Sequence, residues 1–431
     1  MLTINNWQNL SLKEKQQQLT RPRINNYCRK QVEDIIATVQ QRGDDALFAF
    51  TREFDRVELS SLQVAIDTIE TAEISAQALQ ALTAAIQTIT TYHQAVMPQA
   101  RQVVTAKGIS IARTHRPINK VGLYVPGGNS TPLVSSLLMQ AIPAKIAGCP
   151  IKILCTPPNA RGEIDPHLLV AARLCDIDTI YQIGGAQAIA AMAYGTESIA
   201  KMDKLFGPGN SYVTEAKAQV AADPYGVAID MPAGPSEVMI TADDQANPDF
   251  VAADLLAQAE HGIDSQVILL CESEDFAAKV NQSISQQLAA LSRQAIIKQA
   301  LQHSIILVCD ERSEQLDIIN RYAPEHLIIN RIDAVNWVPE ISAAGTIFLG
   351  PWAAETMGDY LSGSNHVLPT NGYARNHSGL STIDFLKTLS VQSITAEGLR
   401  TLGEAAQTLA HIEGLDAHAK AIELRLNTLE S

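Results

Sequence analysis

Lys120-Val-Gly-Leu-Tyr-Val-Pro-Gly-Gly128 is the stretch that decides how this chain is read. An apolar run that stops at a proline and paired glycines fits a buried strand feeding a tight turn. A helical stretch near residues 133–148 follows, and then a second apolar run at 151–155. Strand, helix, strand at that spacing predicts a βαβ unit and a parallel sheet. Runs at 179–183, 204–206 and 227–231, with helices near 166–175, 186–194 and 210–222 between them, extend the sheet. A second alternation follows. Runs at 238–242, 266–271, 305–309, 326–330 and 346–349 are separated by helices near 247–261, 274–291, 312–321 and 333–342. The body therefore reads as two α/β units in series, which share an alternation but no letter-by-letter repeat.

The ends read differently. The first 24 residues are polar, end near Arg21-Pro22-Arg23, and are expected to form an arm. Val32, Ile35, Ile36 and Val39 then fall on one helix face, and Gly43 breaks it. Leu47, Phe50 and Phe54 continue a second stripe. A longer helix carries Leu79, Leu82, Ile86, Ile89 and Val96 and stops at Pro98; His93 within it is given no role. From Ser381 the tail is expected to return to helix.

The chain has 431 residues, enough for about two to four domains. Lys plus Arg is 32 and Asp plus Glu is 46, a formal charge of −14. That balance lacks the basic footprint a nucleic acid needs. A 46% hydrophobic content is too high for a disordered chain. No apolar run approaches the roughly 20 residues that cross a bilayer. The opening residues lack a basic segment followed by an apolar one, so a cytoplasmic location is expected. The 6 cysteines include no C-x-x-C pair and read as reduced, buried thiols.

In open α/β sheets, ligands sit beyond the carboxyl ends of the strands. Glycine turns gather at those points: Pro126-Gly-Gly128, Gly184-Gly185, Gly207-Pro-Gly209-Asn210 and Pro232-Ala-Gly-Pro-Ser-Glu237. Any one is explained by tight βα connections; four along one edge predict a binding edge. None matches G-x-G-x-x-G with its acidic partner, so the fingerprint alone does not give a dinucleotide.

Polar side chains cluster as well. Gln258 and His261 lie at i and i+3 near a helix end closed by Gly262, so they share a face. Glu325-His326 stands at an element edge. Asp359 and Ser362-Gly-Ser-Asn-His366 lie in a long loop over residues 350–381, and Glu413 and His418 stand near the last helical stretch. Each has an ordinary alternative: a helix cap, a surface pair, an Asx turn, an exposed imidazole. With no cysteine pair for a structural zinc site, a bound metal would use N and O ligands from distant segments, as open catalytic sites do.

Taken together, Val121-Gly-Leu-Tyr-Val-Pro-Gly-Gly128, Gly184-Gly-Ala-Gln-Ala-Ile-Ala190, Phe206-Gly-Pro-Gly-Asn210, Asp230-Met-Pro-Ala-Gly-Pro-Ser-Glu237, Gln258-Ala-Glu-His-Gly262, Ala323-Pro-Glu-His-Leu327, Gly358-Asp359 and Asn365-His-Val-Leu-Pro-Thr370 resemble the histidinol dehydrogenase family, in order and in spacing, over nearly the whole chain. The resemblance implies oxidation of L-histidinol to L-histidine, the last step of histidine biosynthesis. It implies two NAD⁺ used in succession, an enzyme-held aldehyde, a zinc ion, and an intertwined homodimer. The fold implied is a pair of incomplete Rossmann-like units with a helical N-terminal arm and a helical C-terminal tail. Residues 1–24 would be the arm, 25–123 with 237–380 a discontinuous first unit, 124–236 the second unit, and 381–431 the dimerisation tail. Carried over by residue, the zinc ligands would be Gln258, His261, Asp359 and His418. Glu325 and His326 would be the general bases. Ser236, His366 and Glu413, with the zinc ligands and His326, would contact substrate; Tyr124, Gln187 and Asn210 would contact NAD. One departure stands out. Asn129-Ser-Thr-Pro132 follows the first glycine turn where the family more often has a shorter small-residue link, which bears on NAD contacts.

The residue types suit that chemistry. Histidinol offers an imidazole and an amine to zinc, chelation fixes its carbinol carbon, imidazole is a base of near-neutral pKa for the alcohol proton, and a carboxylate takes a proton from water at the aldehyde stage. Two other readings are open: a zinc hydrolase on the same ligand set with Glu325 activating water, and a non-catalytic two-lobe binding protein, which such α/β pairs also build but which needs no base pair beside a metal site.

Overall fold

The computed structural model describes residues 1–22, 28–127, 132–232 and 234–430. Residues 129–131 of the departure noted above lie outside the described residues. In chain order the strands are β1 (Thr3–Asn6), β2 (Arg101–Ala106), β3 (Ile109–Pro117), β4 (Lys120–Tyr124), β5 (Ile151–Cys155), β6 (Thr179–Tyr181), β7 (Lys204–Phe206), β8 (Ala228–Ile229), β9 (Glu237–Ala242), β10 (Gln266–Cys271), β11 (Ile305–Val308), β12 (His326–Asn330), β13 (Thr346–Leu349) and β14 (Leu386–Ile394).

Two parallel sheets carry the body. One runs β6-β5-β4-β7-β8, the other β1-β11-β10-β9-β12-β13. In each, the first strand of the unit is central, two strands step to one side, and the chain then crosses back. This is the doubly wound dinucleotide order without its sixth strand. The expected pair of incomplete Rossmann-like units is therefore what the chain forms. The fully buried strands β9, β10, β11 and β12 read as near-continuous apolar runs because helices cover both faces.

Three segments fall elsewhere than the sequence reading put them. The polar arm contains β1, which pairs with β11 at the sheet edge, while Leu2 exchanges two hydrogen bonds with Asn281. A four-residue strand with one apolar residue inside carries no period to detect. The segment before β4 does not join the 237–380 unit. Val32, Ile35, Ile36 and Val39 bury against Ile189 and Val213, and the Ala76–Ala95 helix packs on the Val134–Ala147 helix. Both belong to the β4–β8 unit, whose central strand is the β4 that a boundary at 123/124 would have cut. Finally, the tail begins with a strand. β14 pairs antiparallel with β3, which pairs with β2, and only then do the Ala396–Ile412 and Asp416–Glu430 helices follow. Phe385 anchors this sheet by stacking on Phe206 at 4.0 Å between ring centroids.

All six cysteines are buried and free. Among the described residues no helix is long and apolar enough to cross a membrane.

Candidate active site

The titratable side chains gather at the amino ends of β9 and β12, which lie side by side in parallel register. Glu237 opens β9, Glu325 precedes β12 and His326 opens it. The Glu237 backbone holds both neighbours. Its N–H donates to Glu325 Oε2 at 2.9 Å, and its carbonyl lies 3.3 Å from His326 Nδ1. Gln258 Nε2 donates to the same Glu325 oxygen at 3.3 Å. With Nδ1 donating to a carbonyl, the neutral His326 ring carries its lone pair on Nε2. That Nε2 is buried without a hydrogen-bond partner, 3.6 Å from Asp359 Oδ1.

The stretch over residues 350–381, read from sequence as loop, folds a short helix at Glu355–Tyr360. Its i, i+4 spacing puts Glu355 and Asp359 on one face, towards His326. Glu355 Oε1 lies 3.6 Å from His326 Nδ1, and its Oε2 is buried without a partner. Sequence reasoning passed over Glu355; the signal was its four-residue spacing from Asp359, hidden by the loop assignment.

Crowded acids and imidazoles shift one another. Burial pushes the Glu355 carboxyl up to about 8, against the pull of His326 and aided by Asp359 and Glu325. Burial alone lifts Asp254 to about 7. For His326 burial acts to lower the pKa, but Glu355, Glu325 and Asp359 outweigh it and hold the ring well above the ordinary imidazole range. Asp359 shows the converse: burial would raise it, yet His326, His366 and His261 bring it below the usual carboxylate value. Burial lowers His366.

These groups suit a metal ion. Ligand atoms of His326, Glu355 and Asp359 lie within 4.8 Å of one another. Gln258, also buried, has its Oε1 free of any hydrogen-bond partner while its Nε2 is engaged on Glu325. A buried amide oxygen left unpaired costs stability unless something binds it. Of the four ligands expected from the sequence, Gln258 and Asp359 therefore offer oxygens in one neighbourhood. His261 stands just past the helix end, exposed, its N–H on the Gln258 carbonyl at 3.3 Å, and its charge is felt at Asp359. His418 and Glu413 are exposed on the tail, whose helices pack on each other and on β14. Within one chain they are not brought to this cluster.

Two further expected residues border it. His366 bridges the units, its Nδ1 2.8 Å from the Asp359 carbonyl and its Nε2 3.4 Å from Ser136 Oγ. Ser136 belongs to the helix that follows β4. Ser236 immediately precedes β9, and its carbonyl accepts from Gln266 N–H at 3.2 Å.

The expected NAD contacts lie at the carboxyl edge of the other sheet. Helices beginning at Val134, Gly185 and Ser211 follow β4, β6 and β7 there. The positive ends of their dipoles face that edge, a setting that favours anions. Gly207 must be glycine: its φ is +122°, and a Cβ would sit 2.1 Å from the Tyr124 carbonyl oxygen. The crevice is thus pinched where the strand order reverses between β4 and β7. Tyr124 is buried, and its hydroxyl accepts from Gly185 N–H at 3.0 Å, so it orders the glycine turn from beneath. Gln187 is buried in the first turn of the following helix. Asn210 caps the Ser211–Ala222 helix through Oδ1 and is exposed.

The family profile described as histidinol dehydrogenase matches residues 19–426. The chain is 64% identical to histidinol dehydrogenase of Legionella pneumophila over 100% of both chains. It is 49% identical to that of Photobacterium profundum over 98% of this chain and 96% of the relative. A crystal structure of histidinol dehydrogenase from Elizabethkingia anophelis superposes with a TM-score of 0.96 at 43% identity, covering 100% of this chain and 99% of the other. Fold, glycine-lined crevice and acid–imidazole cluster together leave one assignment: the chain belongs to the histidinol dehydrogenase family.

Proposed function

We propose that the chain is a zinc- and NAD-dependent enzyme that takes L-histidinol to L-histidine by a four-electron oxidation through enzyme-held L-histidinal. Membership of the family already makes it an oxidoreductase of histidine biosynthesis. The observation that carries the finer reading is at the start of β12. His326 has one ring nitrogen tied to a carbonyl and the other free, and an anchored carboxylate, Glu325, stands beside it.

Gln258, His261 and Asp359 would hold the zinc with His418 from a second subunit, and Glu355 would back the site. Zinc, when bound, would fix the imidazole and amine of the substrate and offset the carboxylate charge around His326. NAD⁺ supplies the hydride acceptor at both stages. His326 Nε2 takes the hydroxyl proton of the carbinol as its hydride leaves. At the aldehyde stage Glu325 takes a proton from the water that adds to the carbonyl carbon. Ser236, His366, Glu413, Gln258, His261, His326, Asp359 and His418 orient the substrate. Gln187 and Asn210 face the cofactor, with Tyr124 shaping its turn.

The tail supports a homodimer with shared sites. Leu402, Leu409, Ile412 and Leu424 of its helices are exposed, as are Trp352, Met357 and Tyr360 around Asp359. Apolar faces of this extent call for a partner. A second copy whose Glu413 and His418 reach the cluster covers both faces at once. A reducing cytoplasm suits the six free thiols. The test is anaerobic incubation with L-histidinol and NAD⁺, counting NADH per histidine. Two are expected; a ratio near one overturns the double oxidation.

A further inference from the structure

We propose that Arg21, from the N-terminal arm, is a positioning residue for both bases and acts through Glu237. This rests on reading Glu325 and His326 as the bases. The guanidinium grips Glu237 from Nε at 2.8 and 3.1 Å and from Nη2 at 2.6 Å. The same Nη2 donates to the Tyr322 carbonyl at 2.7 Å and to that of Ala323 at 3.3 Å. Its Cζ lies 3.8 Å from the centre of the Tyr322 ring. Arg21 is thus held by one carboxylate, two carbonyls and a ring face.

What it fixes is the geometry of the reaction centre. Glu237 is the residue whose N–H orients Glu325 and whose carbonyl faces His326 Nδ1. Its side-chain Oε1 also accepts the Asn371 N–H, from the segment that carries Asp359 and His366. Ala323, in the left-handed region at φ +53°, makes the turn that launches Pro324-Glu325-His326, and Arg21 holds the carbonyls on that turn. One arginine thus ties the arm, the start of β9, the approach to β12 and the 350–381 segment to a single carboxylate. The ion pair is nearly dry, with 3% of the Glu237 side chain exposed. Buried ion pairs add little stability over an apolar pair of the same shape. Their use here is directional: the pair sets where a backbone N–H and a carbonyl point. A shift of about 1 Å in those groups costs roughly a hundredfold in rate.

The test uses full-length, zinc-loaded Arg21→Met and Arg21→Lys, assayed with histidinol and with histidinal. Arg21→Met should lower kcat about 10- to 100-fold on both substrates, with KM for NAD⁺ within about twofold; Arg21→Lys should recover part of the loss. Arg21→Met should also cost much less histidinal oxidation in a Glu325→Gln background, because the base it positions is already gone. An unchanged kcat, a full additive loss in that background, a KM for NAD⁺ that rises as far as kcat falls, or failure of both Arg21 variants to fold overturns the proposal. Glu325→Gln and His326→Asn are run beside them. If those two lose turnover while Arg21→Met keeps it, only the positioning role falls. If those two keep turnover, the base assignment falls and takes this inference with it.

Discussion

The two parallel sheets have one strand order and are used from opposite ends. In the five-stranded sheet the crevice between β4 and β7 opens at the carboxyl edge, where the helices at Val134, Gly185 and Ser211 begin. In the six-stranded sheet the corresponding pair is β9 and β12, but Glu237, Glu325 and His326 stand at its amino edge. Helices arrive there by their carboxyl ends: Pro248–Ala259 ends at Gln258 and His261, and Arg312–Tyr322 runs into Glu325. Helix amino ends favour anions and carboxyl ends favour cations. One edge therefore favours negative charge through the amino ends of its helices, and it is the edge proposed above for the cofactor. The other suits a metal ion and imidazolium through carbonyl ends and carboxylates. A repeated fold acquires two chemistries when each copy offers a different end of its helix dipoles.

The sharpest way to break this contrast is to empty the amino edge. His261→Asn should lose bound metal and all turnover while NAD⁺ binding persists, read by metal analysis and cofactor titration; a metal-free protein that turns over fully would defeat the assignment. The same variant tests the shared site. Mixed with His418→Asn, dissociated and reassociated, it should regain about a quarter of native activity, since half the dimers are mixed and one of their two sites is intact. Demonstrable mixed dimers that stay inactive would return the tail to its own chain.

Within the amino edge the two bases should separate by stage. His326→Asn should slow histidinol oxidation by about 10²- to 10⁴-fold. Glu325→Gln should spare much of that stage and slow oxidation of supplied histidinal. Equal losses on both substrates for both variants would merge their roles.

A smaller effect tests how the units are held in register. His93 lies fully buried on the Ala76–Ala95 helix, with its Nε2 3.5 Å from Asn365, next to the bridging His366. Burial lowers its pKa to about 4. The unfolded chain thus binds the proton first, so His93 favours folding above about pH 6.5, and this is lost as pH falls towards 4, on the order of 3 kcal/mol. His93→Gln should flatten that acid limb in thermal melts between pH 6.5 and 4; an unchanged slope would place the acid sensitivity elsewhere. The smallest effect belongs to the carboxyl edge. Asn210→Ala removes a helix cap, so about 1 kcal/mol of stability should go, and KM for NAD⁺ should rise with kcat held. A fall in kcat with KM unchanged would mean that this edge takes part in the chemistry.

The sequence was most legible where burial imposes a period. β5, β7, β10, β12 and β13 fall where their apolar runs put them, and the helices between them agree to within a few residues. The exceptions share a cause. β1 and β14 are edge or exposed strands held by pairing with segments 302 and 269 residues away, Thr3 with Ile305 and Leu386 with Pro117, and so by register rather than by any local pattern.

For the site, the residue types and their order were set by the sequence: an amide, imidazoles and carboxylates whose motifs identify the family. Their use was decided only in three dimensions. Nothing local distinguishes Glu355, whose spacing from Asp359 matters only once a short helix forms. Nothing local says that Arg21 will lie on Glu237, or that the Glu237 backbone will hold Glu325 and His326. The physical reason is that an apolar period reports a residue's own environment, whereas a proton-transfer site is made of contacts between chain segments. Those contacts exist only after β9 and β12 pair, the arm closes over them, and water is excluded.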